Sequence, residues 1–394
     1  MGSGNTDGEV KRPIYLDYNA TTPHHPEVIA AMRPFLEEAF GNPSSSYPYG
    51  IQTRGAIQHA RQQVAALLNS QPEEVVFTSG GTESNNHAIK GIVFSAQARG
   101  RHIITTQIEH PAIIEVCKFL EQNDFEVTYL PVDEAGLVRI SDLEKAITPQ
   151  TILITIMHAN NEVGTIQPIE QISQLAKERG ITMHTDAAQS VGKIPTDVNV
   201  LGVDLLSLAG HKLYAPKGVG ALYIRKGIQL AKFMHGAGQE GGRRAGTENV
   251  LEIVGLGKAC EIARQDLVEN MAHLTRMRNR LHEGLQARLG ELRLNGDPER
   301  RLPNTLSLSF HRIDANALLG ELEKDVAASA GAACHSGDVE ISHVLEAMHV
   351  PLEWARGTLR FSTGRMTTET DIERAIDLIS GAITRFENRQ LTKK

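Results

Sequence analysis

Apolar residues recur along this chain in two rhythms. Short runs with few charges, at 75–79, 102–106, 127–132, 152–158 and 181–186, alternate with stretches at 83–99, 111–122, 141–147 and 168–178 whose apolar positions fall three and four apart. The runs are not cleanly two-faced, which predicts strands covered on both sides, and the intervening stretches predict the covering helices. Regular alternation over about 150 residues predicts a doubly wound α/β domain. Ahead of it, 23–40 (Val28, Met32, Phe35, Leu36) and 51–69 (Ile57, Ala60, Val64, Leu67, Leu68) read as helices, separated by GNPSSSYPYG at 41–50, which reads as irregular turn chemistry. Beyond it, apolar runs at 203–208 and 221–224 flank a loop. One long helix is expected from Val250 to Leu289, bridging to a second domain with a strand at 304–310 and two helical stretches.

Length agrees with two domains: 394 residues are too many for one core. Apolar content of 41% and charged content of 22% are those of a globular enzyme. A net charge of −7 without a Lys/Arg cluster argues against direct nucleic-acid binding. No apolar run approaches the ~18 residues of a membrane span, and the polar first dozen residues do not read as a secretory signal. Three widely spaced cysteines, Cys117, Cys260 and Cys334, without any CxxC, argue for a reducing compartment and a cytoplasmic protein.

Ligand residues of open α/β sheets collect at the carboxyl ends of strands, and several such ends here carry suggestive chemistry. His211 and Lys212 interrupt the apolar pattern between 203–208 and 221–224. A lysine there either snorkels or, with its pKa lowered, serves as a Schiff-base nucleophile. Gly81 and Thr82 open a helix, where backbone N–H groups and a hydroxyl suit a phosphate; Thr82 as a plain N-cap is the bland alternative. Asp186 ends the run 181–186 and could keep a pyridine nitrogen protonated. His110, after 102–106, could stack on that ring or cap the helix at Pro111. Asn160 and Asn161 follow 152–158, where an amide could bind a phenolic oxygen. Together these residues describe a site for pyridoxal 5′-phosphate (PLP). Two rivals are weaker. GAGQEG (236–241) fits GxGxxG but follows no clear strand and opens no helix. His158, His184, Asp186 and His211 lack the spacing of a metal hydrolase.

The motifs YLDYNATTP, NPSSSYPYG, FTSGGTESNN, MHANNEVGTIQPI, HTDAAQSVGK, GHKLYAPKGVGALYIRKG, GGRRAGTEN and SAGAACHSG lie in that order. The chain, from about residue 13 to 386, resembles the cysteine desulfurases of the NifS/IscS type. The resemblance implies the aspartate-aminotransferase fold (PLP fold type I): an α/β large domain, 22–262, with a mostly parallel seven-stranded sheet, and a smaller α+β domain from 1–21 and 263–394. It implies that Lys212 binds PLP as a Schiff base and removes the substrate Cα proton, that His110 stacks on the ring and handles protons, and that Asp186 partners the ring nitrogen. Asn161 and Gln189 match the residues on the phenolic-oxygen side. Gly81, Thr82 and His211 match phosphate ligands, and Thr247 matches a phosphate contact from the other subunit, which implies a homodimer. Arg360 matches the holder of the substrate carboxylate. Cys334 matches the nucleophile that takes sulfur from L-cysteine as a persulfide, with His110 or His335 as candidate bases. Small residues around it (Ala330, Gly331, Gly337) suit a mobile loop that passes sulfur to an acceptor protein, an iron–sulfur scaffold or a thiolation enzyme. Cys117 and Cys260 read as core.

Three departures accompany the resemblance. Ala209 stands where better-known members have serine, and Tyr18 replaces the second asparagine of LDNNATTP. GAACHS and Tyr18 also resemble selenocysteine lyases, whereas the spacing from Cys334 to Ser342-His343-Val344-Leu345 fits the desulfurases. The expected activity is therefore conversion of L-cysteine to L-alanine with sulfur transfer. Selenocysteine lyase, and a sulfur-relay scaffold active only with its acceptor, are the alternatives.

Overall fold

The computed structural model describes residues 12–335 and 338–391; for 332–335, 338–340, 390 and 391 it describes the backbone alone. Its largest sheet has seven strands in the spatial order Val75–Thr78, Gly220–Ile224, Leu205–Ala209, Thr182–Asp186, Thr151–Thr155, His102–Thr106 and Glu126–Leu130. Gly220–Ile224 runs antiparallel to both neighbours, and the remaining neighbours pair in parallel. Apart from the edge strand Glu126–Leu130, the sheet is buried on both faces because successive strand residues feed different cores: Val75 and Phe77, or Ala221 and Tyr223, enter one, while Val76, or Leu222 and Ile224, enter the other. That double burial is why the strands read as apolar runs rather than as alternating patterns.

A separate core joins both ends of the chain. Ile14 and Leu16 pack with Met277, Leu281 and Leu285 of the helix Leu267–Leu289, with Leu306 and Leu308, and with Ile372, Ile376 and Ile379 of the helix Glu369–Leu391. Its sheet is antiparallel, in the order Ser329–Ala330, Thr358–Ser362, Thr305–Ser309, Arg293–Asn295.

Local structure departs from the sequence reading in three places. The helix expected from 51 begins at Pro48, where proline's fixed φ and missing N–H suit the first helical position. The helix expected to run unbroken from 250 to 289 is two, Val250–Gln265 and Leu267–Leu289. Asp266 sits between them with φ −103° and ψ 8°, its N–H still bonded to Ile262 O and its carboxylate held by Arg365 Nη1 at 2.9 Å. The segment expected as a loop around Cys334 contains a β-hairpin, Ala332–His335 against Asp338–Ile341, with Cys334 opposite Val339. Val339 and Ile341 are β-branched, which favours pairing. No helix among the described residues is long and apolar enough to cross a membrane.

Candidate active site

A cavity of about 440 Å³ opens at the carboxyl ends of the parallel strands. Gly81, Thr82, His110, Asn161, Asp186, Gln189, His211, Lys212 and Arg360 all line it, with Asn19, Asn85, Ala188 and Ala209. Residues from five internal segments and both ends of the chain thus converge on one volume.

The helix Gly81–Ala96 aims its N-terminus at this cavity. Its cap is Gly80, whose φ of 149° a side chain would strain, so Thr82 is not the cap and its hydroxyl stays available. A Cβ on Gly81 would come 3.3 Å from the Ala209 Cβ, so the glycine lets the helix end approach the strand end closely. Glu83, one residue on, accepts from Ser79 N at 2.8 Å and from Arg244 Nε at 2.8 Å. Burial pushes its carboxyl up, but Arg244 and Ser79 outweigh burial and hold it below its usual value.

Asp186 closes the strand Thr182–Asp186. Its Oδ1 accepts from Ala188 N at 2.9 Å and its Oδ2 from Asn85 Nδ2 at 2.7 Å. His110 caps the helix Pro111–Glu121, its Nδ1 accepting from Ala112 N at 3.1 Å, so it both caps and lines the cavity. Burial lowers its pKa, Asp186 opposes that, and Lys212 and His343 reinforce it. His211 is held near 4 by burial and by Lys212, so its imidazole is neutral.

Lys212 Nζ donates to the carbonyl oxygens of Asn19 (2.6 Å) and Ala20 (2.7 Å). Burial, aided by the Arg360 charge and opposed by Asp17 and Asp186, lowers its pKa to about 8. Roughly a tenth of the amine is then unprotonated at pH 7, against less than ~0.1% for an ordinary lysine. Arg360 is held by Asp17 Oδ1 (2.8 Å), Ser329 Oγ (2.9 Å) and Asn161 O (3.1 Å), while its Nε is buried without a partner.

Thr247 is exposed and lies outside the cavity, so this chain does not bring it to its own site. The Cys334 side chain, and the His335 and Gly337 expectations, lie outside the described residues. The hairpin's base is anchored beside His110: Ser342 Oγ donates to Glu162 Oε2 at 2.5 Å, and His343 Nε2 to Glu109 O at 2.9 Å. His184 spends both ring nitrogens on Thr155 Oγ1 (2.8 Å) and Ser207 Oγ (2.9 Å), and His158 Nδ1 bonds Ser190 Oγ at 2.9 Å. Gly236–Gly241 forms a loop in which Glu240 pairs with Arg61 in the interior. Cys117 and Cys260 are buried, and burial pushes the Cys117 thiol up to about 12.

The chain matches the aminotransferase class-V family over residues 14–375. It belongs to that family. Among class-V relatives, a protein named cysteine desulfurase IscS from Dictyoglomus turgidum is 49% identical over 378 residues, 96% of each chain. A solved structure described as a NifS-like protein aligns with a TM-score of 0.89 and 39% identity, covering 95% of this chain and 99% of that one. Another, described as SspA in complex with cysteine, aligns with a TM-score of 0.78 and 38% identity, covering 90% and 99%. Within this class-V fold, the residues that sequence reasoning missed are two in the lining, Asn19 and Asn85, and three behind it, Asp17, Glu109 and Lys193. Asn19 is the hub. Its N–H meets Ser362 Oγ, its Nδ2 donates to Asn161 O and Thr305 Oγ1, and its carbonyl receives Lys212 and Gln189. No period or spacing marks such a residue; only topology brings its partners together.

Proposed function

We propose that this chain is a PLP-dependent cysteine desulfurase that converts L-cysteine to L-alanine and passes the sulfur, through a persulfide on Cys334, to an acceptor protein. The observation that carries the reading is the convergence of Lys212, its amine pKa lowered to about 8, and Arg360, its Nε unpartnered, on one cavity. The relatives named cysteine desulfurase and the neighbour solved with cysteine support the same activity.

The residues present fit PLP. A helix N-terminus with the Thr82 hydroxyl and neutral His211 would take the phosphate, Asp186 the ring nitrogen, His110 the ring face, and Asn161 and Gln189 the phenolic side. When bound, the cofactor supplies an electron sink for the carbanion at the substrate Cα. Arg360, pinned by Asp17 and Ser329, orients the substrate carboxylate. Lys212 Nζ takes the Cα proton, which requires the unprotonated amine that its environment favours. Cys334, as thiolate, bonds to the substrate sulfur while the Cβ–S bond breaks, and a proton then completes the methyl group of alanine.

Thr247 is exposed and lies outside its own chain's cavity. This supports a homodimer in which Thr247 serves the partner's phosphate; a monomer in sedimentation equilibrium at assay concentration ends that part. We further assign 22–262 to cofactor binding and 1–21 with 263–394 to the domain carrying the hairpin, supported by the core that Ile14 and Leu16 share with Ile372 and Ile376.

Purified protein with PLP is assayed for alanine from L-cysteine and L-selenocysteine, as wild type and as Cys334→Ala. Turnover of cysteine that Cys334→Ala abolishes is expected. Turnover of selenocysteine alone, or survival of activity in the variant, overturns the desulfurase reading, whereas alanine formation that appears only with an acceptor protein favours the sulfur-relay alternative.

A further inference from the structure

A lysine far from water needs oxygen atoms for its hydrogens, and a carboxylate is the usual supplier. Lys193 has a different set. It is 6% exposed, and its Nζ donates to two neutral amide oxygens, Gln189 Oε1 at 2.9 Å and Asn19 Oδ1 at 3.2 Å. The charges that bear on it, Lys212 and Arg360, are both cations, and they add to burial in disfavouring its ammonium. With or without its third proton it has two hydrogens to give, enough for both oxygens.

The consequence falls on Gln189. Its Oε1 is held from behind by Lys193, so its Nε2 is the end turned to Asn19 O, at 3.0 Å, on the cavity wall. Asn19 is braced independently, its Oδ1 also accepting from Asn304 Nδ2 at 2.9 Å and its Nδ2 meeting Thr305 Oγ1 at 2.8 Å. Gln189 has no such second brace for its oxygen among the described hydrogen bonds. We propose that Lys193 is a positioning residue that anchors Gln189 by its oxygen, so that Gln189 offers an N–H, and not an acceptor, to an anionic oxygen of the bound cofactor. The inference rests on the PLP reading above. Without Lys193, the Gln189 oxygen has no donor on the buried side, and the Asn19 carbonyl is left as the one described group that holds the amide by its Nε2.

The test is a double-mutant cycle of Lys193→Met and Gln189→Leu, read by PLP titration of the apo protein and by thermal unfolding. Lys193→Met should weaken PLP binding roughly five- to tenfold, the worth of one hydrogen bond. It should leave the unfolding midpoint unchanged or raised, since an apolar side chain replaces a desolvated amine. In the Gln189→Leu background the same substitution should cost less than about twofold. Affinity unchanged in Lys193→Met, or an equal loss in both backgrounds, overturns the proposal. If Lys193→Met does not fold, Lys193→Gln, which keeps an N–H donor, takes its place in the cycle with a smaller loss expected. If wild type takes up no PLP, the functional reading fails, and the anchor is judged from a crystal structure of Lys193→Met: a swung Gln189 amide supports it, an unmoved one ends it.

Discussion

Asp17 and Arg360 are 343 residues apart in sequence, and their side chains meet at 2.8 Å on the cavity wall. The contact takes one arm of the guanidinium and leaves Nε unpartnered, so the fork is oriented before a ligand arrives. Arg360→Lys keeps the charge and loses the fork. It should raise KM for L-cysteine by roughly 10- to 100-fold, the worth of a charged hydrogen bond, with a smaller change in kcat. Steady-state alanine formation checks this, and an unchanged KM with collapsed kcat would contradict it.

Asn85 holds Asp186 from the helix that also supplies the anion site. Asn85→Leu leaves the buried Asp186 Oδ2 without that donor. PLP binding should weaken by roughly tenfold or more, because a hydrogen bond to a charged group is lost. Apo-protein titration measures it; an unchanged dissociation constant removes Asn85 from the site.

Ala209 lines the cavity, and its Cβ is the nearest atom to a Cβ built on Gly81. Ala209→Ser therefore places a hydroxyl beside the helix N-terminus, where a phosphate would sit. PLP should bind several-fold tighter, by about the worth of one added hydrogen bond. Weaker binding would show that the hydroxyl is not oriented to the anion.

Two buried groups give the apo protein's stability opposite slopes with pH. Burial raises the Glu109 carboxyl from 4.5 to about 8, against the pull of Met157 N and Thr106. Between those values the unfolded chain has lost a proton that the folded chain keeps, so stability falls as pH rises, by up to ~1.4 kcal/mol per pH unit. Lys212, lowered from 10.5 to about 8, acts in the reverse sense: from about 8 to 10.5 the unfolded chain holds the extra proton and stability rises with pH. Glu109→Gln should flatten the lower limb alone and Lys212→Met the upper limb alone. Urea unfolding at a series of pH values separates them, and a profile unchanged by Glu109→Gln would mean the carboxylate is ionised in the fold.

Much of the large sheet was legible because six of its seven strands are buried and so read as apolar runs, several followed by a cavity-lining residue. Lys212, Asp186 and His110 could be found at strand ends for that reason. The break at Asp266 could not, because the apolar spacing continues across it and the residue's Arg365 partner lies 99 positions away. The hairpin at 332–341 was hidden by alanines, which carry little strand signal. Tyr18, which as a sequence feature hinted at another substrate, proves to be packing. Its ring sits edge-on to Tyr15 at 4.9 Å and over Gly364, where a Cβ would come within 2.1 Å of the ring. Asn85 and Lys193 carry chemistry that only their depth reveals.

The Asn19 N–H reaches Ser362 Oγ, a residue 343 positions later. Synthesis runs from the amino end, so the strand Thr358–Ser362 is among the last to be made, and the cavity wall stays incomplete until it has left the ribosome. On the PLP reading, cofactor capture is expected only once this strand has emerged and joined Asn19. Stalled nascent chains ending before residue 358 should bind no PLP, whereas chains extended past 391 should; uptake by the shorter chains would show that the wall closes without its last strand.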